Sequence, residues 1–541
     1  MSIYQIKNNK NNLFKIIKNN VLNMLKSIDT RNCCPKILIL DDTTFVIISN
    51  LLSKSELNNE QVFLFENINN RSKKKIDYVK TICILQPTDR NLKKIYDEMI
   101  NDPRSDEYYI YFTEYLSAEI NEKISKITNN RLKKIGELYI NFIINQSHSF
   151  SCPFKYEDND IVQTLFNLTL SMKVFPEIFT SKSDKCHNIA NLLKKQYNDN
   201  LNIINKYKKR TLLLLLDRDN DPITPILTNW KYLSMINEYI GINNNTVIVN
   251  TESKENKFVL NFESDDFMIN NIFSDYGSLS ENLKNSVQKL KQKNDDMIKL
   301  KEDKNIKKLI LDTEEYKSVN SNMNKHTTII NYIFKTIKNN NLLKISEYEQ
   351  ELMTNENINN NIFNNIMEVI KDEFVDEKYK LKLLLLYLVR FNFDPIKINM
   401  ILNTVKLNNY NLSECIIKYQ LIVKNNLVNL PSNKKNIKSM LLKFVPINNE
   451  DNKNFYMRFK TQIQKILEEI KEGNFKNNFT KIMVHNVTFY DNIIIYIVGG
   501  YTFEELSFVN EFNNNNYNNY YIGGDKVINY NEFLNNIINR N

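Results

Sequence analysis

Three aspartates stand at the end of an apolar run. Five leucines at 212–216 pass directly into Asp217, Arg218, Asp219, Asn220 and Asp221, and Pro222 and Pro225 follow. A run this short that stops at acid and proline fits a strand buried on both faces. Ligands of open α/β sheets gather at the carboxyl ends of such strands. One chemistry for this spacing is therefore phosphoryl transfer, with Asp217 as nucleophile and Asp219 as acid/base. That reaction would also require Mg²⁺, a downstream lysine and an acidic pair at neighbouring strand ends. Where that pair is wanted the chain has Gly499 and Gly500, and Gly523-Gly524-Asp525 is a poor substitute. A calcium loop fails outright, because its sixth and twelfth positions hold Pro222 and Thr228 instead of Gly and Glu. The remaining reading is architectural: Asp217 pairs with Arg218, and Asp221 caps the turn that Pro222 pre-sets.

Other reactive types are sparse. The six cysteines and four histidines carry no paired metal spacing, and Cys186-His187 is an isolated neighbour pair. Gly499-Gly500 precedes a helix and could hold an anion at its N-terminus. Glu504 and Glu505 already place negative charge in that first turn, and Thr502 with Glu505 forms a capping box. No glycine-rich phosphate cradle follows any early strand.

The elements that position these residues follow from periodicity. Strands are expected at 35–41, 61–66, 81–87 and 108–113, with helices at 45–52 and 91–99 between them. Such alternation argues a parallel sheet wrapped by helices. A further strand is expected at 138–144, helices at 161–175 and 184–197, and then the leucine strand. From 246 to about 479 strand signals fade, and helices are expected at 282–311, 326–337, 341–352, 379–390 and 455–470. Strands return at 491–498 and 520–524. Residues 12–28 form a basic amphipathic helix that packs on its own domain or touches lipid.

Composition narrows the function classes. The chain has 541 residues, 42% of them hydrophobic, with 72 basic against 63 acidic residues and a net charge of +9. The length suits roughly three to four domains. The basic excess is spread over the chain, which argues against nucleic acid. Scattered cysteines suit a reducing, cytoplasmic setting, and no apolar run approaches the ~20 residues of a membrane span. The frequent Asn runs read as compositional bias.

The text LLLLDRDNDPITPILTNWKYLSMINEYIGINNN resembles the central signature of the Sec/Munc (SM) family of SNARE-assembly proteins, and its end resembles the endosomal branch. KILILDDT at 36–43, VFLFE at 62–66, ILQPT at 84–88 and GGYTFE at 499–504 resemble the same family in the same order. The resemblance implies a three-domain arch: two parallel-sheet α/β domains plus a large, mainly helical domain. It divides the chain into an N-terminal extension with an amphipathic helix at 1–34, domain 1 at 35–136, domain 2 at 137–245 and 480–541, and domain 3 at 246–479.

It also implies that Asp217, Arg218, Asp221, Pro222, Thr224, Pro225, Trp230, Gly499, Gly500, Thr502 and Glu504 are an architectural signature, with no catalytic residue, cofactor or metal. Leu116, Ile120, Ile124, Leu132 and Ile135 would line a pocket for the N-terminal peptide of a syntaxin-like Qa-SNARE. Leu283, Val287, Leu290, Met297, Leu300 and Leu309 would lie in a groove for SNARE helices. The implied protein is a monomer in the cytoplasm, peripheral to endosomal, Golgi or vesicle membranes through its SNAREs. It would template assembly of a Qa-SNARE, an R-SNARE and the bundle they form. The competing classes are an Asp217/Asp219 phosphatase and a membrane-tethering helical scaffold.

Overall fold

The fold is described from a computed structural model, which covers residues 12–28, 34–70, 75–76, 78–126, 129–153, 157–250, 254–302, 306–355, 361–428 and 459–539. For 293–302, 306–316, 318 and 425–428 the backbone alone is described. The chain divides into two compact units. Unit 1 holds residues 1–217, 473–501 and 509–527; unit 2 holds 218–472, 502–508 and 528–541.

Unit 1 begins with β1 (Lys36–Leu40), β2 (Val62–Asn67), β3 (Lys80–Leu85), β4 (Glu107–Phe112) and β5 (Leu132–Glu137), in the order β2-β1-β3-β4-β5 with every pair parallel. β1 is buried along its whole length, which explains its unbroken apolar text. The chain continues through β6 (Ile143–Gln146), β7 (Ser149–Ser151), β8 (Val174–Thr180) and β9 (Lys208–Asp217). It makes a hairpin in unit 2 from β10 (Thr246–Asn250) and β11 (Glu255–Val259), then returns to unit 1 with β12 (Thr480–Met483), β13 (Asn492–Val498) and β14 (Asn519–Gly524).

The second sheet of unit 1 runs β12-β8-β9-β13-β14-β7-β6. Its β12–β8 and β6–β7 pairs are antiparallel, so this sheet is mixed where a parallel one was expected. β13 lies directly beside β9, with Ile494 opposite Leu213 and Val498 opposite Asp217. One face of each sheet contributes to a shared core that includes Leu38, Leu40, Ile82, Leu213, Leu215 and Ile494. The helix Leu13–Ser27 enters the same core through Leu13, Ile17, Val21 and Leu25, so the apolar stripe that could have met lipid is packed on protein.

Further sequence expectations change. The segment 138–144 is not one strand, because Tyr139 takes a left-handed conformation (φ 49°) and ends the extended run. The helix expected at 161–175 stops at Met172, and β8 follows at once. Thr246–Asn250 and Glu255–Val259 pair as a hairpin inside the stretch read as helical.

Unit 2 is otherwise helical. The helix expected at 282–311 is two: Tyr276–Glu302 and Ile306–Asn339 pack along one another. Leu342–Thr354, Glu377–Arg390 and Leu412–Val428 form the rest of its main body. No helix among the described residues is long and apolar enough to cross a membrane.

Candidate functional site

The leucine strand ends in two different environments, one in each unit. In unit 1, Asp217 accepts a hydrogen bond from Ser183 Oγ at 2.5 Å. Burial, with Asp217 adding to it, lifts the Cys186 thiol to about 12, so this cysteine is a packed side chain and not a thiolate ligand. Gly499 donates its N–H to the Asp525 carboxylate at 2.8 Å, and Tyr496 Oη donates to the same group at 3.1 Å. The donor that could have met an anion therefore meets an internal carboxylate. Gly499 and Gly500 have φ of 99° and 102°, a region that other residues rarely enter.

In unit 2, residues 221–230 are buried throughout. Arg218 Nη1 donates to both carboxylate oxygens of Glu505, at 2.8 and 2.9 Å, and Nη2 donates to the Asp221 carbonyl at 2.9 Å. Arg218 thus pairs with Glu505 and Asp221. Burial disfavours the charged guanidinium, but Glu505 and Asp221 outweigh it and hold its pKa above the usual value. Asp221 closes the proline turn as expected, accepting from the N–H groups of Ile223 (3.2 Å) and Thr224 (2.9 Å) and from Thr224 Oγ1 at 2.5 Å. The carbonyl of Pro222 accepts from Tyr419 Oη at 3.1 Å.

The same loop is bolted to two helices. Thr228 donates from N–H (2.8 Å) and Oγ1 (3.0 Å) to Glu349, and Lys382 Nζ donates to Thr228 Oγ1 at 2.8 Å while lying 3.3 Å from Glu349. Trp230 Nε1 donates to Ser346 Oγ at 3.0 Å. Thr502 and Glu505 complete the expected capping box, with N–H···Oε2 at 2.8 Å and N–H···Oγ1 at 3.2 Å. Glu504, beside it, is pushed up to about 7 by burial, against the opposing pull of Lys231. Arg218, Asp221, Glu505, Thr228 and Glu349 thus bond to one another and to the surrounding helices within unit 2. Among the described residues no group of three His, Cys, Asp or Glu side chains is placed to hold a metal.

Two surfaces could bind a chain. Leu116 and Ile124 are buried in the second core of the first sheet, and Ile120, Leu132 and Ile135 lie half-buried against it. The five residues expected to line a pocket thus lie together around the helix Ala118–Ser125, where Leu116 and Ile124 pack the helix on its own sheet and the other three are partly open to solvent. In unit 2, Leu283, Val287 and Leu290 sit half-buried at helical spacing along Tyr276–Glu302. Met297, Leu300 and Leu309 are helical in backbone, but their side chains lie outside the described residues.

The sequence reading missed one cluster at the base of that helix pair. His326 is fully buried, with Nδ1 at 2.8 Å from Tyr232 Oη and Nε2 at 2.9 Å from Asp265. Lys325 Nζ donates to the same Asp265 oxygen at 2.5 Å. Burial alone would raise the Asp265 carboxyl; His326 and Lys325 instead hold it down, to about 2. No spacing rule joins positions some sixty residues apart, as 265 and 326 are, so only the fold reveals the group.

Comparison with known proteins completes the description. A sequence model of the Sec1 family matches residues 36–536. Vacuolar protein sorting-associated protein 45 of Schizosaccharomyces pombe is 28% identical over 88% of this chain and 90% of its own length. Its namesake in Dictyostelium discoideum is 27% identical over 92% of each. Among solved structures, the SM protein Vps45 in complex with the Qa SNARE Tlg2 superposes with a TM-score of 0.86 at 22% identity, covering 97% of both chains. Sly1p in complex with an N-terminal peptide of Sed5p does so with a TM-score of 0.79 at 17% identity, covering 98% of both.

Proposed function

This chain belongs to the Sec1 family, and from that premise we propose that it binds a syntaxin-like Qa-SNARE and templates SNARE assembly during vesicle docking and fusion. The observation that carries the reading is the likeness, over nearly the whole chain, to vacuolar protein sorting-associated protein 45, whose solved form holds a Qa SNARE. Transport among endosome, Golgi and vacuole is the setting this implies. The protein would act as a monomer in the cytoplasm, peripheral to membranes through its SNAREs, and an R-SNARE would join the Qa-SNARE on it. The division into domains 1, 2 and 3 at the boundaries given above belongs to the same proposal.

The mechanism is geometric. SNARE helices join slowly because disordered chains must first be aligned, and a surface that holds them in register lowers that ordering cost. Ile120, Leu132 and Ile135 would anchor the Qa-SNARE N-terminal peptide, and the face of Leu283, Val287 and Leu290 would hold helix. The work is done by binding, so no bond is made or broken. The buried pairing of Arg218 with Glu505 and the turn closed by Asp221 favour a structural role for this loop over a phosphatase.

Isothermal titration of the full chain with a syntaxin-like Qa-SNARE cytoplasmic segment tests the reading. Binding is expected, and Ile120→Ala should weaken the N-terminal peptide several-fold, with circular dichroism showing the fold kept. Failure of every syntaxin-like segment offered, with turnover of a phosphorylated compound, would overturn it.

A further inference from the structure

The amino ends of β8, β9, β13 and β14 lie together in unit 1, because these strands are parallel neighbours: Val174 pairs with Lys208, and Asn492 with both Thr211 and Asn519. Basic residues crowd this edge. Lys173 immediately precedes β8, and Lys206, Lys208, Lys209 and Arg210 lead into and open β9, with no acid between 200 and 210. Lys173, Lys206, Lys208, Lys209 and Arg210 are all exposed. The adjoining acid, Asp491, is taken by Arg210.

Exposed apolar groups stand on the same edge. Phe489 is 55% exposed, Val484 43% and Tyr517, just before β14, 96%. The loop that carries the first two is not loose. Glu177, wholly buried in β8, accepts from the N–H groups of His485 (2.7 Å) and Val487 (3.1 Å) and from Tyr490 Oη (2.6 Å). The Arg210 guanidinium lies 3.8 Å above the Phe489 ring. A buried carboxylate thus holds an apolar tip out into water, with a cation laid over it.

We propose that this edge is a docking surface for an anionic phospholipid membrane, contacted by the protein directly and not only through its SNAREs. Such a cluster of positive charge is what a negatively charged leaflet attracts. Aromatic rings beside lysines match the headgroup level, where an apolar body and a polar surround are both satisfied. An acidic protein segment would answer the lysines but leave Phe489 and Tyr517 in water. The helix Leu13–Ser27, basic and amphipathic in sequence, cannot serve in this way, since its apolar face is in the core.

Flotation of the full chain with vesicles of phosphatidylcholine, alone or with about 30% phosphatidylserine, tests the proposal. Binding that requires phosphatidylserine and weakens with salt is expected. Changing Lys206, Lys208 and Lys209 together to Glu should reduce vesicle-bound protein by at least about tenfold. The pair Phe489→Ser and Tyr517→Ser should reduce it several-fold at unchanged charge, and both variants should keep their circular dichroism and their Qa-SNARE affinity. A wild-type chain that ignores the anionic vesicles, or a charge-reversed one that floats equally well, would overturn the proposal. So would tight capture by polyglutamate that is indifferent to the two ring deletions, which would assign the edge to an acidic protein segment.

Discussion

β1 and β9 are both buried strands that stop at acid, yet their ends are held by different physics. Asp41, after β1, accepts from neutral donors: the N–H of Thr44 at 2.8 Å, the N–H of Gln86 at 2.6 Å and Asn91 Nδ2 at 2.8 Å. Thr44 Oγ1 in turn accepts from the Asp41 N–H at 2.8 Å, which closes a capping box. Beyond β9, the turn of Asp221 is built around a buried cation, with Arg218 balanced by Glu505 and Asp221. Acid just beyond an apolar run therefore marks a helix cap in one place, at Asp41, and in the other, at Asp221, a member of a buried charge network. In the first case the loss of the acid removes hydrogen bonds. In the second it strands a charge away from water.

The largest effect should come from breaking the charged end. Glu505→Ala leaves Arg218 buried without its main partner and should cost about 3–5 kcal/mol in urea unfolding. Joining Arg218→Met to Glu505→Leu should recover much of that loss, because the stranded charge goes with its partner. A double change no milder than the single one would break the comparison. Asp41→Ala should come next, at about 1–3 kcal/mol, since it removes a cap and leaves buried donors unmet. Equal costs for Asp41→Ala and Glu505→Ala would show that the two ends are alike after all.

A further test is a pH slope, to which Glu504 contributes at the second end and Glu114, also lifted to about 7, beside Asp41 at the first. The Glu504 carboxyl is lifted by burial from 4.5 to about 7 in the folded chain. Between those values the folded state binds the extra proton, so stability falls as pH rises from about 4.5 through 7. Glu504→Gln should flatten that decline, read as the melting temperature at pH 5 and pH 8. An unchanged slope would place the titration elsewhere.

Much of the first sheet was legible because its strands are contiguous in sequence and alternate with helices. β8 was not. The helix pattern was read on through 175, and beyond it Pro176 sits where the register with β9 shifts, while Glu177 is buried because three donors meet it. Tyr139 ended a strand by a left-handed turn that its side chain does not advertise. The hairpin of β10 and β11 was hidden because β11, Glu255–Val259, is largely polar and half-exposed. Of the site, the turn chemistry of Asp221 and Thr502 could be read locally. The partners Glu505, Glu349 and Lys382 could not, since charge pairing over such separations leaves no periodic trace.

The middle of the second sheet has a consequence for synthesis. β13 and β14 occupy its centre, flanked by β9 on one side and β7 on the other, although roughly 270 residues separate β9 from β13. At a translation rate of about 5–20 residues per second, β9 waits tens of seconds on the ribosome before its neighbour emerges. For that interval the β9 edge, with its five leucines, is open to solvent and to other nascent chains. A stop codon anywhere before residue 492 would leave that edge without the strand that covers it.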